Sequence, residues 1–379
     1  MTPARRRCLD RPLWPLWPVG ISLALAACAA DKPSPKPLEA LEPKIAGRMV
    51  WSDKLEGVKF PLAIAVSAGT FTVAGDDGTV LALDAATGRT LWRAELGTSL
   101  SAGVGSDGRF AAVVTRSGEL VVLQAGKEAW RKDLGVRVSS APLVAGERVF
   151  VLAQDRSVHA FDALDGRRLW SSKRPGDPLT LAHAGALLPF KDTLLVGQGP
   201  RLAGLDPLKG SVRWEVAVAT PRGTNEVERL ADLVGPVARI GKLVCSRSFQ
   251  SAVGCVDGER GALQWSKNVG GTQGVAGDEQ MIYGADASDR LSAWRTANGD
   301  IAWSSEGMLY RGLSAPLRAG NTLVFGDAEG YVHWLSTDKG EPQLRLPTDG
   351  SAIAAAPVLA GTTMLVATRN GGLFAFRPE

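Results

Sequence analysis

A tryptophan that recurs along the chain, with a glycine four positions before it, constrains the fold more than any other feature. Successive repeats are 38 to 51 residues apart, and in the eighth repeat leucine takes the place of tryptophan. The pairs are Gly47/Trp51, Gly88/Trp92, Gly126/Trp130, Gly166/Trp170, Gly210/Trp214, Gly261/Trp265, Gly299/Trp303 and Gly340/Leu344. A period of about 40 residues indicates one supersecondary unit repeated many times.

Each repeat also has the pattern of a tight hairpin. An alternating apolar run ends in aspartate shortly before the glycine, as in residues 80–84 and 158–162. Such alternation is typical of a half-buried strand. The aspartate can accept hydrogen bonds from turn amides, and the glycine can take the positive φ that the turn needs. The next strand carries the tryptophan, whose large ring can dock between neighbouring sheets.

Two further strands precede each hairpin, for example residues 141–144 and 149–152. Four strands in about 40 residues are typical of a propeller blade. The chain ends on a strand (372–376) with no tryptophan strand after it and begins with an unpaired one (47–51). Pairing the two would cover both sheet edges. The sequence therefore predicts an all-β, eight-bladed β-propeller over residues 46–379, with four antiparallel strands per blade and closed by the N-terminal strand.

The first 27 residues have the pattern of an export signal, with a basic start and an apolar stretch over residues 19–27 that ends before Cys28. Residues 25–28, Leu-Ala-Ala-Cys, resemble the lipobox of bacterial lipoproteins, which implies that Cys28 is lipidated. Several acyl chains hold a protein firmly, because each buried CH₂ contributes about 0.8 kcal/mol. The alternative is an ordinary secretory signal followed by a chance cysteine. Ala29 favours the outer membrane, by analogy with enteric lipoproteins.

Residues 28–45 are predicted to be the lipidated cysteine and a Pro-rich polar tether, which cannot pack a core and spaces the globular part from the membrane. No other segment approaches the roughly 20 apolar residues that span a bilayer. After residue 27 the chain carries 39 basic and 38 acidic residues. This near-neutral balance gives no reason to expect nucleic-acid binding.

The sequence predicts no catalytic, cofactor-binding or metal-binding residues. The chain has three histidines, no Cys-x-x-Cys pair and no Gly-x-Ser-x-Gly motif. His159 and His333 lie in alternating strands, where hydrogen-bonded or surface histidines are expected. Residues 103–108 match the dinucleotide pattern G-x-G-x-x-G, but a strand follows where a helix is required, so they are interpreted as a turn. The acidic turn 76–78 could bind calcium weakly, although a hairpin accounts for it equally well.

Two cysteines remain after Cys8 in the signal and Cys28 are set aside. Cys245 and Cys255 are placed symmetrically about Gln250, in consecutive predicted strands. Cross-strand neighbours bring Cβ atoms to about 4.5–5.5 Å, close to the range of a disulfide. In an oxidising compartment we expect a Cys245–Cys255 disulfide, and two buried free thiols are the alternative.

The unit in residues 83–92, Leu-Asp-Ala-x-Thr-Gly-x-x-x-Trp, resembles the repeats of PQQ-dependent quinoprotein dehydrogenases and of BamB lipoproteins, which belong to the outer-membrane β-barrel assembly (BAM) complex. The BamB family is more similar over the whole chain, because it shares the lipobox, one domain and eight blades. Residues 223–232 resemble the long loop of that family, and residues 326–334 resemble its late blade hairpin.

The resemblance implies a non-enzymatic, cofactor-free scaffold on the periplasmic face of the outer membrane, monomeric within its complex. It would bind the polypeptide-transport-associated domains of BamA and assist folding and insertion of outer-membrane proteins; direct contact with unfolded clients stays open. The residues that match the family's contact loops are Leu179, Leu181, Glu228, Arg229 and Asp232.

The match to the contact loops is incomplete, because Ala182 stands where the family has arginine and Val234 stands at an acidic position. The long step from Trp214 to Trp265 supports a functional insertion, since propellers carry extra length in loops of a binding face. Tolerated extra length is the alternative.

Two other functions compete with this interpretation. A quinoprotein dehydrogenase would need a catalytic aspartate beside a metal-bound cofactor in the central funnel, and the chain lacks the Cys-Cys dipeptide that quinoprotein alcohol dehydrogenases carry there. A lipoprotein propeller that binds another envelope protein or a glycan is the third possibility, because repeat folds do not specify function by themselves.

Overall fold

Eight four-stranded antiparallel sheets follow one another along the chain, each made mostly of consecutive strands. In the computed structural model, residues 33–174, 180–221 and 223–378 are described, and residues 34–379 form one contact unit. The first strands of most neighbouring blades contact one another, and residues from all eight blades line a central channel. No helix among the described residues has the length and apolar character needed to cross a bilayer.

The strands of blades 1 to 4 are, in order from the channel outwards, β2 (Ala65–Ser67), β3 (Thr70–Ala74), β4 (Thr79–Asp84) and β5 (Thr90–Glu95); β6 (Gly105–Ser106), β7 (Phe110–Val114), β8 (Glu119–Gln124) and β9 (Lys127–Asp133); β10 (Leu143–Ala145), β11 (Arg148–Leu152), β12 (Val158–Asp162) and β13 (Arg168–Ser172); and β14 (Leu187–Phe190), β15 (Thr193–Gln198), β16 (Arg201–Leu205) and β17 (Val212–Ala217).

The strands of blades 5 to 8 are β18 (Leu233–Ile240), β19 (Leu243–Ser248), β20 (Ala252–Asp257) and β21 (Ala262–Lys267); β22 (Ala276–Gly277), β23 (Met281–Ala285), β24 (Leu291–Arg295) and β25 (Ile301–Ser305); β26 (Leu317–Ala319), β27 (Thr322–Gly326), β28 (Tyr331–Ser336) and β29 (Pro342–Pro347); and β30 (Val358–Ala360), β31 (Thr363–Ala367), β32 (Gly372–Pro378) and β1 (Gly47–Lys54).

The ring closes as the sequence predicts. Strand β1 is the outer strand of blade 8 and pairs with β32, with a register that runs from Gly47 opposite Pro378 to Lys54 opposite Gly372. The two ends of the chain therefore share one sheet, and the eight-bladed, four-stranded architecture is confirmed.

The turn chemistry of the hairpins is also confirmed. Asp84 accepts a hydrogen bond from the amide of Thr87 at 2.8 Å, and Asp162 accepts one from Leu164 at the same distance. Gly88 has φ +73° and Gly166 has φ +70°, in the region where glycine is favoured. Gly47 is the exception, because it begins β1 with no positive φ.

The glycines have a second task, which is to make room for a tryptophan of the preceding blade. A Cβ at Gly166 would lie 2.6 Å from the Trp130 ring. The same contact recurs around the ring, between Gly88 and Trp51, Gly126 and Trp92, Gly210 and Trp170, Gly261 and Trp214, Gly299 and Trp265, Gly340 and Trp303, and Gly47 and Leu344. The glycine and tryptophan of one repeat thus belong to two successive interfaces between blades.

Hydrogen bonds reinforce these interfaces between blades. The indole N–H of Trp130 donates to the carbonyl of Ala163 at 2.8 Å, and that of Trp265 donates to Thr296 at 2.8 Å. Trp51, Trp170 and Trp303 make the corresponding bonds to the next blade. Buried indole groups need such acceptors, so the ring is held by repeated polar and apolar contacts together.

One face of the ring, here called the loop face, carries the turns between the second and third strands and the connections between blades. In blades 1 and 2, the amide of Leu96 donates to Gly78 and that of Arg116 donates to Ser99. These hydrogen bonds join each connection between blades to the adjacent turns. Long connections on the loop face are therefore held by the hairpins beside them.

The predicted tether of residues 28–45 differs from the structure in its second half. Residues 36–45 pack along blade 7, with the amide of Lys44 donating to Gln343 at 2.8 Å. Leu38 packs against the core between blades 6 and 7, and Ile45 packs against the core between blades 7 and 8. The prediction of a tether rested on the Pro-rich, polar composition of the segment, which gives no weight to these two apolar residues. Cys28 and the rest of residues 1–32 lie outside the described residues.

Candidate protein-binding site

Two neighbouring loops on the loop face contain the residues that the family resemblance singles out. The blade 4 loop (173–186) joins β13 to β14, and the blade 5 loop (218–232) joins β17 to β18. Gly185 forms an isolated bridge with Val234, and the amide of Gly235 donates to Ala184 at 3.0 Å. The described part of the blade 4 loop therefore lies against the start of β18, directly after the blade 5 loop ends.

Asp232, the last residue of the blade 5 loop, connects the two loops through its side chain. Its carboxylate accepts hydrogen bonds from the Leu181 amide, at 2.8 Å, and from the Arg156 guanidinium, at 3.5 Å. Its side chain is only 15% exposed, and its carbonyl accepts the amide of Phe249 at 2.9 Å. The family resemblance places Asp232 among the residues of the contact loops, and its observed contacts show that it also holds blades 3, 4 and 5 together.

Glu228 organises the outer part of the blade 5 loop. It accepts hydrogen bonds from the Thr224 amide, at 2.7 Å, and from the Asn225 amide group, at 2.9 Å, while its own amide donates to the Asn225 side chain. The hydrogen bond from the Thr224 amide is the largest of the influences that lower the pKa of Glu228. The carboxylate is exposed and stays ionised, and its hydrogen bonds connect it to residues 224 and 225 of the same loop.

The loop that Glu228 organises presents an apolar residue, Val227, whose side chain is 70% exposed. Arg229 follows it, partly exposed, with its amide 3.2 Å from the Asn225 carbonyl. The sequence analysis missed Val227, although an isolated apolar residue within Thr-Asn-Glu-Val-Glu-Arg was a usable signal. An exposed valine next to a hydrogen-bonded turn is a suitable apolar anchor for a partner.

The blade 4 loop contributes a second apolar position. Leu181 is half-buried, and the hydroxyl of its neighbour Thr180 donates to the carbonyl of Gln154 at 2.9 Å. Ala182 is exposed, and Val234 is buried. Leu179 lies outside the described residues. The structure thus brings Leu181 into contact with Asp232, and it places Val227 and Arg229 on the loop that leads to Asp232.

The crevice between the two loops is too small for an organic ligand. Its volume is about 40 Å³, and Leu181, Asp232 and Arg156 line it. That space holds about one or two waters. This crevice is therefore not a pocket for a small substrate.

The central channel does not fit the cofactor site of a quinoprotein. It has a volume of about 590 Å³ and is lined mainly by small apolar residues such as Ala63, Pro142 and Ala355. The described charged and titratable residues that line it are Lys59, His183 and Arg369, with no carboxylate. Burial, helped by Arg369, lowers the pKa of His183. A catalytic carboxylate beside a bound metal has no candidate residue there.

Cys245 and Cys255 face each other across β19 and β20, with their Cα atoms 4.0 Å apart, and a disulfide joins them. Both side chains are fully buried against Trp265. The hairpin they close ends at the turn whose Phe249 contacts Asp232. The pair therefore stiffens the hairpin that supports the blade 5 loop.

We expect replacement of both cysteines (Cys245→Ala with Cys255→Ala) to lower the free energy of unfolding by about 2–3 kcal/mol, because a closed loop of about ten residues restricts the unfolded chain. Urea unfolding measures the change, and reductant should produce the same loss in the wild type. Alkylation of both thiols in denatured protein that was never reduced would contradict the pairing.

Several known proteins with similar sequences belong to one family, that of the outer membrane protein assembly factor BamB. The family model of the outer membrane protein assembly factor BamB matches residues 76–305. The chain is 36% identical to that factor from Burkholderia pseudomallei (strain K96243), over 94% of this chain and 96% of the relative. It is 33% identical to that from Bordetella pertussis (strain Tohama I / ATCC BAA-589 / NCTC 13251), over 94% of each.

Solved structures show the same fold. BamB from Moraxella catarrhalis superimposes with a TM-score of 0.80 at 22% identity, covering 87% of this chain and 99% of that one. The quinohemoprotein alcohol dehydrogenase from Comamonas testosteroni superimposes with a TM-score of 0.67 at 17% identity, covering 88% and 76%. The second likeness is one of fold alone. The chain belongs to the BamB family of outer membrane protein assembly factors.

Proposed function

We propose that this protein is a non-enzymatic scaffold of the outer-membrane β-barrel assembly machinery, which binds BamA through the blade 4 and blade 5 loops and assists folding and insertion of outer-membrane proteins. The observation that carries the proposal is the carboxylate of Asp232, which connects the end of the blade 5 loop to Leu181 of the blade 4 loop and to Arg156. A scaffold needs such preformed surfaces, because ordering a mobile loop on binding lowers affinity.

The chemistry of the surface supports a protein partner. Val227 and Leu181 supply apolar contact, while Glu228 and Arg229 supply charge next to them. An apolar centre with a polar rim is how protein interfaces usually divide affinity from orientation. Asp232 acts in this scheme as a positioning residue, since its carboxylate is already engaged.

We also propose that Cys28 is acylated and holds the protein on the periplasmic face of the outer membrane. The lipobox-like residues 25–28 and membership of the BamB family support this location. A multiply acylated cysteine would hold a protein that has no described helix able to span the bilayer.

The experiment is recovery of BamA from envelope membranes on tagged protein. We expect Val227→Asp, alone or with Leu181→Asp, to reduce the recovered BamA by about tenfold or more, because a charge in the apolar centre of an interface costs about 2 kcal/mol or more. Recovery from the wild type confirms the partner, and loss in the variants assigns the surface.

The chain offers matched controls within blade 4. Val212 is 44% exposed on the outer strand β17, and Leu208 is 60% exposed in the turn between β16 and β17. Val212→Asp and Leu208→Asp should leave BamA recovery unchanged, and all variants should unfold at similar temperatures. Equal recovery by all variants would remove the two loops from the interface, and no recovery by the wild type would contradict the BamA assignment.

A further inference from the structure

The N-terminal segment leaves the propeller at a fixed place. The amide of Lys36 donates to the carbonyl of Leu309 at 2.9 Å, and the Lys36 ammonium donates to the carbonyl of Glu306 at 3.1 Å. The guanidinium of Arg311 donates to the carbonyl of Lys36 at 2.9 Å. Residues 36–45, here called the strap, then follow β29, where Arg345 donates to Glu39 at 3.0 Å.

The N-terminal end of the strap, at Lys36, is hydrogen-bonded to a residue of a buried ion-pair cluster. Arg311 is 2% exposed and donates two hydrogen bonds to Asp327, which is fully buried, and a further one to Glu329. His333 completes the cluster with a contact of 2.9 Å to Asp327. A guanidinium held in this way has no freedom to move with the strap. The strap therefore has a rigid attachment point.

This attachment point lies on the loop face. Residues 306–316 connect β25 of blade 6 to β26 of blade 7, and connections between blades lie on that face. Lys36 is eight residues after Cys28. Eight residues reach at most about 29 Å when fully extended, and about 25 Å in the polyproline conformation that Pro33 and Pro35 favour. The hydrogen bonds that hold Lys36 to Leu309, Glu306 and Arg311 are here called the clamp. The distance from the clamp to the acyl chains on Cys28 is therefore at most about 29 Å.

The other face lies one strand length farther from Lys36. A five-residue strand is about 17 Å long, and turns add to this on both faces. If that face were turned to the bilayer, residues 28–36 would use most of their reach to pass along the blade, whereas the loop face needs little of it. Tyr310, 40% exposed beside the clamp with φ +58°, adds an aromatic side chain of the kind favoured at membrane interfaces.

We propose that the strap and its Arg311 clamp orient the propeller, so that the loop face at blades 6 and 7 is turned towards the lipid bilayer in which Cys28 is anchored. This inference rests on the proposed acylation of Cys28. It assigns to Lys36, Leu38 and Arg311 the role of positioning residues for a membrane contact.

The test uses the acylated full-length protein on vesicles that contain an acceptor-labelled lipid. Ala287 and Ala297 are exposed alanines of blade 6, one in the turn between β23 and β24 on the loop face and one between β24 and β25 on the other. A donor dye is attached to Ala287→Cys or to Ala297→Cys. We expect higher energy transfer from position 287, and loss of the difference when about 30 Gly/Ser residues, roughly 100 Å of chain, are inserted after Pro33.

The outcomes separate this inference from the proposed anchoring. Flotation of wild type with the vesicles, lost in Cys28→Ser, establishes the anchor; failure of the wild type to float would overturn the anchor and this inference with it. Flotation with equal transfer, or with more transfer from position 297, would overturn only the orientation.

The strap itself is tested by hydrogen exchange of the Lys36 and Lys44 amides, which should exchange slowly in the wild type. We expect Leu38→Asp, which places a charge against the core, to accelerate exchange at Lys36, and the same change at the exposed Ala40 (Ala40→Asp) to leave it unaltered. Fast exchange at both lysines in the wild type would overturn the clamp.

Discussion

Gly166→Ala lowers the free energy of unfolding by about 2–4 kcal/mol, an unusually large expected loss for the addition of one methyl group. About 1 kcal/mol comes from holding alanine at positive φ. The remainder, about 1–3 kcal/mol, comes from overpacking, because the new Cβ would lie 2.6 Å from Trp130. The ring cannot move away easily, since its N–H is bonded to Ala163. Urea unfolding measures the change.

Gly146→Ala is the matched control in the same blade. Gly146 also has a positive φ, +56°, but a Cβ there would meet nothing within 4 Å. We expect this variant to lose only the backbone contribution, about 1 kcal/mol. Equal losses in the two variants would show that the contact with the tryptophan does not hold the blades together.

Asp327→Asn is expected to have a larger effect than Gly166→Ala. It should lower the free energy of unfolding by about 3–5 kcal/mol at neutral pH, because it leaves the buried Arg311 without its main counter-charge. Burial acts to raise the pKa of Asp327, but the hydrogen bonds from His333, Tyr331 and Arg311 outweigh it, so that the pKa lies below the ordinary value. Chemical unfolding at several pH values measures the difference between wild type and variant.

The pH dependence has a definite sign. Because the pKa of Asp327 is lower in the folded state, its stabilisation is complete above the ordinary aspartate value of about 4 and is lost as the pH falls through the folded value. The difference between wild type and variant should therefore shrink below about pH 4. Glu329→Gln, at the half-exposed carboxylate that also contacts Arg311, should cost about 1 kcal/mol or less. A loss as large as that of Asp327→Asn would refute the assigned role of burial.

The proposed contacts with BamA and with the bilayer would both use the loop face. The blade 4 and blade 5 loops lie there, and so does the clamp at blades 6 and 7. A short connection (residues 28–36) between the lipid anchor and that face would limit the orientations in which the loops can meet a membrane-bound partner. Fewer orientations mean a smaller entropic cost of association. The buried cluster around Asp327 would then serve both stability and orientation.

The candidate site was predictable only in part. Similarity of sequence points to Leu181, Glu228, Arg229 and Asp232, but not to what each does. The role of Asp232 depends on the Leu181 amide, 51 positions away in the chain, and charge alone suggests an exposed rim. Val227 could have been noticed from its polar neighbours, whereas the support that Glu228 gives to its loop appears only in three dimensions.

The blade number and the closure of β1 on β32 were already determined by the sequence, because alternation, turn residues and repeat spacing are local properties that survive in a linear pattern. The sequence placed Cys245 and Cys255 in neighbouring strands but left free thiols as an alternative to a disulfide. The tertiary structure alone decided that Gly166 receives Trp130 of the preceding blade and not Trp170 of its own repeat. It also decided that Leu38 and Ile45 draw a Pro-rich segment onto blade 7. These contacts depend on how the blades pack once the ring is closed, which brings together positions that no local pattern relates.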